Sequence, residues 1–185
     1  ANVPLLAGTN RDEGTMFMVR SPVGSVSQYE SFVVDRYGAR ANDLLRIYPA
    51  ISDENARTRA NELFTDFAMA LHQRNQMKWM AQKPSKNYIY YFTHVPPGRA
   101  GELMGAHHGA EIRYVFGNLE ASESFTPGPE DAELSNLMMD YWVNFAKTGD
   151  PNVVGRPMWP QFDPVLDQCF EIGERTGARF RPRRG

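Results

Sequence analysis

The stretch "VPLLAGTNRDEGTMF", residues 3–17, joins a short apolar run to a cluster of polar residues. The apolar run shows no alternation, which is typical of a strand buried on both faces of a parallel sheet. The polar cluster follows at the carboxyl end of that strand, where α/β folds gather their functional residues. Glu13 is therefore a candidate site residue, with a plain surface carboxylate as the alternative. Asp12 is a rival, although Asn10 and Asp12 are also natural turn formers.

Four helical patterns follow. The clearest covers residues 129–152, where apolar residues repeat at i, i+3, i+4, i+7, i+8 and i+11 and Gly149 supplies a C-cap. The longest runs from Ser52, a candidate N-cap, to Gln82. Its predicted apolar face consists of Leu63, Phe64, Phe67 and Leu71. Two shorter patterns are "SQYESFVVDRYG", with Ser27 as the predicted N-cap, and "ANDLLRIYP", and a fifth, short helix is predicted near Ala110.

Two further stretches predict strands. "NYIYYFTH" is rich in aromatic and β-branched residues, and "QCFEIG" lies near the end of the chain. Strands that alternate with helices favour an α/β layered fold, and 185 residues suit one domain. Two or three strands are few for so many helices, and a parallel sheet that small leaves apolar edges bare. We therefore expect the segment to need more sheet than it contains.

Composition narrows the class of partner. The chain has 20 basic and 22 acidic residues, a net charge of −2, so nothing indicates a nucleic-acid partner. No apolar run approaches the roughly 18 residues that a membrane span needs.

The single cysteine, Cys169, cannot form an internal disulfide and is predicted to be a buried structural thiol. Secreted and cytoplasmic locations both stay open. The basic tail "RFRPRRG", residues 179–185, is interpreted as a solvated end.

Four histidines are candidates for chemistry. We expect His72 to be a helix-surface or packing residue and His94 to be a polar loop residue. The pair His107–His108 lies in "GAHHGAEI", where small neighbours allow tight backbone bends and close approach. A loop histidine on a rigid scaffold suits a general base, which needs a carboxylate on its other ring nitrogen. His107, His108 and Glu111 also form an H-H-x-x-E pattern, but the zinc motif H-E-x-x-H is absent and we expect no metal.

Three motifs occur in order along the chain: "VPLLAGTNRDEGTMF", "GAHHGAEIRYVFGNL" and "MMDYWVNFAKTGDPN", followed by "MWPQFDP" and "FEIGE". Together they resemble the C-terminal part of the type B carboxylesterases, the cholinesterase-like α/β-hydrolases. The resemblance covers nearly all of residues 1–185 and implies the C-terminal part of an α/β-hydrolase fold. It also implies that Glu13 and His108 are the acid and base of a Ser-His-Glu triad, and that His107 occupies a variable position. The substrate implied is a carboxylic ester, and no cofactor is implied.

The nucleophile that the resemblance implies has no matching motif in the chain. The nucleophile of α/β-hydrolases lies on a G-x-S-x-G elbow, and the chain contains no such motif. "VGSVSQ" has two serines but lacks the second glycine at the required spacing, and the glycines of an oxyanion hole are also missing. We therefore expect a C-terminal segment whose absent N-terminal half carries the serine, and an inactive isolated chain. The alternatives are a non-catalytic cholinesterase-like adhesion module and an inactive fragment.

Residues beside the expected pocket bear on the substrate. They are apolar or aromatic, which would suit an uncharged acyl or alcohol group. They fit core packing equally well, so the substrate stays open. The four residues are Met16, Phe17, Tyr114 and Phe116.

Overall fold

The computed structural model describes residues 2–19, 21 and 23–180. Within these residues, four strands form one sheet in the order β1-β2-β3-β4. The strands are β1 (Leu5–Asn10), β2 (Asn87–Phe92), β3 (Gln168–Ile172) and β4 (Gly177–Phe180). β1, β2 and β3 run parallel, whereas β4 is antiparallel to β3. The three predicted strands are confirmed, and β4 is an additional one that its short, mostly exposed sequence does not signal.

Helices alternate with these strands, as an α/β fold requires. They are α1 (Thr15–Met18), α2 (Val26–Tyr37), α3 (Ala41–Ile47), α4 (Asp53–Phe64), α5 (Leu71–Met80), α6 (Arg99–Met104), α7 (Ile112–Val115) and α8 (Pro129–Thr148). A 3₁₀ turn, Gly38–Arg40, separates α2 from α3, and a π-helical segment, Thr65–Ala70, separates α4 from α5. None of the described helices is long and apolar enough to cross a membrane.

Two predicted helix details are wrong. The cap of α2 is Ser25 rather than Ser27, because the extended Ser25 accepts a hydrogen bond from the Gln28 N–H at 3.2 Å. The long helical pattern is interrupted by the π-helical segment, whose wider turns shift the register of the residues that follow. Leu63 is therefore buried on the predicted face, whereas Leu71, beyond the segment, is 43% exposed.

The sheet is covered on both faces. Alternate residues of β2 point to opposite sides, so that Tyr88 and Phe92 meet α8 while Ile89 and Tyr91 meet α5. On the α8 side, the predicted apolar stripe of that helix packs around the fully buried Trp159. Helices α1 to α4 form a separate cluster of buried residues. Together, the layered sheet and its helices confirm the predicted α/β class.

The sheet ends differently at its two sides. β1 has no partner on its outer side among the described residues, and its first four residues are only half-buried. The prediction of a strand buried on both faces thus holds only for its last two residues. At the other side, Arg179 on β4 pairs with the buried Glu171 at 2.5 Å. The start of the basic tail is therefore part of the sheet rather than a solvated end, and residues 181–185 lie outside the described residues.

The lone thiol is buried in the sheet. Cys169 lies on β3 with 2% of its surface exposed and packs among the residues on the α5 side. Burial raises the pKa of this thiol to about 12, which keeps it protonated and unreactive near neutral pH. The prediction of a buried structural thiol is confirmed.

Candidate active site

A carboxylate and an imidazole meet at the carboxyl end of β1. His108 Nδ1 lies 2.6 Å from Glu13 Oε2. The other carboxylate oxygen, Oε1, accepts the backbone N–H of Asn10 at 2.8 Å. Glu13 is 6% exposed, whereas the His108 side chain is half-exposed. Since an ionised carboxylate only accepts hydrogen bonds, this contact places a proton on Nδ1. Among the described residues, none hydrogen-bonds to Nε2.

The turn that presents Glu13 depends on the glycine after it. Gly14 donates its N–H to Thr65 Oγ1 at 3.0 Å, and Thr65 belongs to the π-helical segment. A Cβ at Gly14 would lie 2.6 Å from Asn61 Oδ1, closer than side chains are found to approach. The turn is thus pressed against the α4 side of the molecule. This packing explains why a glycine follows the carboxylate.

The loop that carries His108 is built from small residues. Gly105 and Gly109 both have positive φ angles, +65° and +77°, which favour glycine. Ala106 and Ala110 are buried, and the Ala110 N–H donates to His107 O at 3.0 Å to close a turn. The small neighbours noted in the sequence therefore allow the backbone to bend beneath the imidazole.

Asn10 and Asp12, interpreted as turn formers in the sequence, both reach across to this loop. Asn10 is 1% exposed, and its Nδ2 donates to His107 O at 2.7 Å and to Glu111 Oε2 at 2.5 Å. Asp12 accepts the backbone N–H of Ala106, and none of the hydrogen bonds or ion pairs of the described residues joins its carboxylate to His108. Of the two rival carboxylates, only Glu13 lies against the imidazole. Among the described residues, no group of three or more His, Cys, Asp or Glu side chains is placed to hold a metal ion.

The other histidines lie elsewhere. His107 Nδ1 faces the backbone carbonyl of His108 at 3.0 Å, and His72 is exposed on α5. His94 lies in the loop just past β2, as expected, and its Nε2 lies 2.8 Å from the buried Asp131 Oδ1, a partner that the sequence does not indicate. No local pattern signals this pair, since its two members are 37 residues apart.

A buried carboxylate network surrounds that second pair. Tyr114 donates its hydroxyl to Asp131 Oδ1 at 2.7 Å, and the Gly128 N–H donates to Oδ2 at 2.7 Å. Burial alone would raise the pKa of Asp131. The hydrogen bonds from Gly128, Tyr114 and His94 outweigh it and hold the pKa below its ordinary value. The network joins the end of β2, α7 and the start of α8, and makes no contact with Glu13.

Only some of the apolar residues named from the sequence lie near His108. The ring of Phe17 is 5.5 Å from the imidazole, centre to centre, and stacks on Phe64 at 5.1 Å. Tyr114 is instead fully buried in the core, and Phe116 is largely exposed. Phe17 thus gives the exposed imidazole one aromatic neighbour.

Comparisons with known proteins assign the chain to a family. The model of the carboxylesterase family matches residues 1–183. The fumonisin B1 esterase of Sphingopyxis macrogoltabida is 33% identical over 97% of this chain, and acetylcholinesterase 1 of Caenorhabditis briggsae is 30% identical over 87%. The bile salt-activated lipase of Homo sapiens is 40% identical over 62%. The chain spans 35%, 31% and 15% of these relatives. Because the family model matches residues 1–183 and the first two relatives align over most of this chain, the chain belongs to the carboxylesterase family, and it corresponds to about a third of the length of those two relatives.

Proposed function

We propose that the protein containing this chain is a serine carboxylesterase, with Glu13 and His108 as the acid and base of its Ser-His-Glu triad. The observation that carries the proposal is the contact between His108 Nδ1 and Glu13 Oε2 at 2.6 Å, with Nε2 facing no described partner. One ring nitrogen is thereby anchored and the other is free for proton transfer. This is the arrangement that a histidine base requires.

In this proposal, the serine comes from the part of the protein outside the chain. His108 Nε2 takes the serine proton as the serine oxygen attacks the ester carbonyl carbon and forms a tetrahedral intermediate. The imidazolium returns the proton to the alcohol oxygen, which leaves, and an acyl-enzyme remains. Water then attacks the acyl carbon and gives its proton to Nε2, which passes it to the serine as the carboxylic acid departs.

Glu13 stabilises the imidazolium in both halves of the cycle. Its buried carboxylate faces the positive charge that forms on His108, and the Asn10 N–H fixes its second oxygen. The N–H groups that stabilise the oxyanion would come from the part of the protein outside this chain. Such oxyanion stabilisation is usually the largest electrostatic contribution to catalysis.

We also propose that residues 1–185 are the C-terminal segment of an α/β-hydrolase domain, and that the remaining part packs against β1. Two observations support this. β1 has an unpaired outer edge among the described residues, and the chain spans only 35% of the fumonisin B1 esterase and 31% of the acetylcholinesterase. A half-buried parallel strand at a sheet edge is unusual unless another strand or layer covers it. The partner of this segment is thus the nucleophile-bearing part of the same protein, and the isolated chain is inactive.

The test is labelling of the native protein with a fluorophosphonate, which reacts with activated serines, detected with an antibody against this segment. We expect label on a protein much larger than 21.0 kDa, or on a co-purifying piece if the protein is nicked. A folded protein that takes no label in any form would contradict the proposal and favour an adhesion module or an inactive fragment.

His108→Ala in the complete protein tests the assigned base. We expect kcat for a simple carboxylic ester to fall by about 10³-fold or more, and fluorophosphonate labelling to be lost, because no group remains to take the serine proton. His72→Ala removes an exposed histidine on α5 and is the matched control, expected to retain activity. Near-full activity in His108→Ala would overturn the assignment.

A further inference from the structure

We propose that Asp12 is a positioning residue: its carboxylate clamps the loop that carries His108 and so sets the distance between His108 and Glu13. The catalytic consequence rests on the proposed function, whereas the clamp itself rests on contacts. Asp12 precedes Glu13, and the backbone that it holds lies two residues before His108. A displacement of the turn that carries Glu13 or of the loop that carries His108 would therefore change the 2.6 Å contact between them.

The first observation is a two-way link between the loops. Asp12 donates its backbone N–H to Ala106 O at 3.0 Å, and its Oδ2 accepts the Ala106 N–H at 2.9 Å. Main chain and side chain of one residue thus satisfy both backbone polar groups of a fully buried alanine. The residue that follows, His107, forms an isolated parallel bridge with Asp12. At Asp12, past the end of β1, the backbone thus pairs with the His108 loop instead of with β2.

The second observation is steric. A Cβ at Gly105 would lie 2.3 Å from Asp12 Oδ2, and Gly105 has a φ angle of +65°. The loop therefore passes the carboxylate with no room for a side chain. A position that needs glycine both for its backbone angle and for this close approach indicates that the loop is shaped around Asp12.

The third observation is the anchoring of the carboxylate. Arg11 Nε lies 3.1 Å from Asp12 Oδ2, and the guanidinium also pairs with Glu174. Thr15 Oγ1 donates to Asp12 O at 2.7 Å and lies 2.8 Å from Met104 O, which ties the start of α1 to the end of α6. Asp12 is thus held on its own side and can transmit that position to the His108 loop.

A surface role would predict another outcome. An aspartate that only forms a turn would bond within its own loop, and its loss would lower stability without changing the reaction. The clamp instead acts through geometry. A misplacement of about 1 Å between reacting groups can cost about 10²-fold in rate, so kcat is the constant that the clamp controls.

The experiment compares Asp12→Ala with Asp12→Asn in the complete protein, with rates expressed per active site counted by fluorophosphonate titration. Asp12→Ala removes the acceptor for the Ala106 N–H, and we expect kcat to fall about 10- to 100-fold while KM changes less than about threefold. Asp12→Asn retains an acceptor oxygen and is expected to recover kcat to within about threefold of the unmodified protein. Asp43→Ala removes an exposed aspartate on α3 and is the control.

A second measurement does not depend on activity. The Nδ1 proton of His108, in a 2.6 Å contact with a carboxylate, should give a separate downfield proton NMR resonance. We expect this resonance to be lost or moved upfield in Asp12→Ala and kept in Asp12→Asn. If Asp12→Ala does not fold, Gly105→Ala, which crowds the clamp from the other side, is expected to give the same loss of kcat and of the resonance.

The outcomes separate the two proposals. If the unmodified protein hydrolyses no ester but the resonance disappears in Asp12→Ala, the proposed function fails and the clamp is supported. If the protein is active and Asp12→Ala retains kcat per active site and the resonance, the clamp is overturned even where stability falls.

Discussion

At the scale of single residues, the two adjacent carboxylates of "RDEG" make separate contacts. Position after the strand leaves Asp12 and Glu13 as rivals, and in the sequence only the resemblance to the carboxylesterases favours Glu13. The structure directs Glu13 to His108 and Asp12 to the backbone of Ala106. Side chains of consecutive residues leave a tight turn in different directions, and the sequence does not state which direction faces the distant loop.

Glu13→Gln tests the charge at that contact. The amide can still lie beside His108, but it removes the negative charge that would stabilise the imidazolium, and it can select the wrong ring tautomer. We expect kcat of the complete protein to fall by about 10²- to 10⁴-fold, with little change in KM. Steady-state ester hydrolysis measures this, and Glu30→Gln, an exposed site on α2, is the control. Unchanged kcat in Glu13→Gln would remove Glu13 from the triad.

At the scale of elements, periodicity predicted α8 well because the helix packs along one continuous face. None of the apolar residues predicted for that face is exposed, and Gly149 ends the helix in the left-handed conformation with φ +76°. The long helix before β2 was predicted less well. Its π-helical segment at Thr65–Ala70 departs from the regular helical period, and no local residue pattern announces it.

The network at the start of α8 gives a prediction for stability. In Asp131→Asn, the amide can keep only part of the hydrogen bonding to Gly128, Tyr114 and His94, so polar groups become unpaired in a buried site. We expect a loss of about 2–4 kcal/mol in the free energy of unfolding at neutral pH. Denaturant unfolding of the complete protein measures it. A change within about 0.5 kcal/mol would mean that this network does not hold the elements together.

The same carboxylate makes stability depend on pH. The pKa of Asp131 is lower in the folded protein than its ordinary value of 3.8, so the folded state binds this proton more weakly than the unfolded state. Its contribution is therefore complete above that ordinary value and is lost as the pH falls through the folded value. As the pH is lowered from about 5 to about 2, the free energy of unfolding should fall more steeply for the unmodified protein than for Asp131→Asn.

At the scale of the whole molecule, local patterns predicted the order of elements and the layered class, but not how distant parts meet. Residues 5–10 and 87–92 pair in register along their full length, although about 80 residues separate them. The close approach of Glu13 to His108 spans 95 residues. From the sequence, only the resemblance to the carboxylesterases pairs these two residues, because the triad of that family requires an acid beside its histidine.

The outer edge of β1, which has no partner strand within residues 2–19, 21 and 23–180, predicts how the isolated chain behaves. Along this edge, unpaired backbone groups and half-buried apolar residues favour association between copies. We expect the chain expressed alone to be poorly soluble, and co-expression with the nucleophile-bearing part to give a soluble complex. Size-exclusion chromatography and thermal unfolding measure this. A monomeric isolated chain with a cooperative melt would contradict the prediction.

The bridge between Asp12 and His107 has a consequence for how such proteins diverge. The described hydrogen bonds that join the Glu13 turn to the His108 loop run between residues 10–15 and 104–111, and further support comes from Thr65 and Glu174, which belong to the same chain. In the proposed arrangement, recombination upstream of Val3 would exchange the part that carries the nucleophile and would retain Glu13 and His108 in their present geometry. Chimaeras that graft this segment onto the N-terminal part of a relative should need optimisation at the seam along β1 rather than around the imidazole.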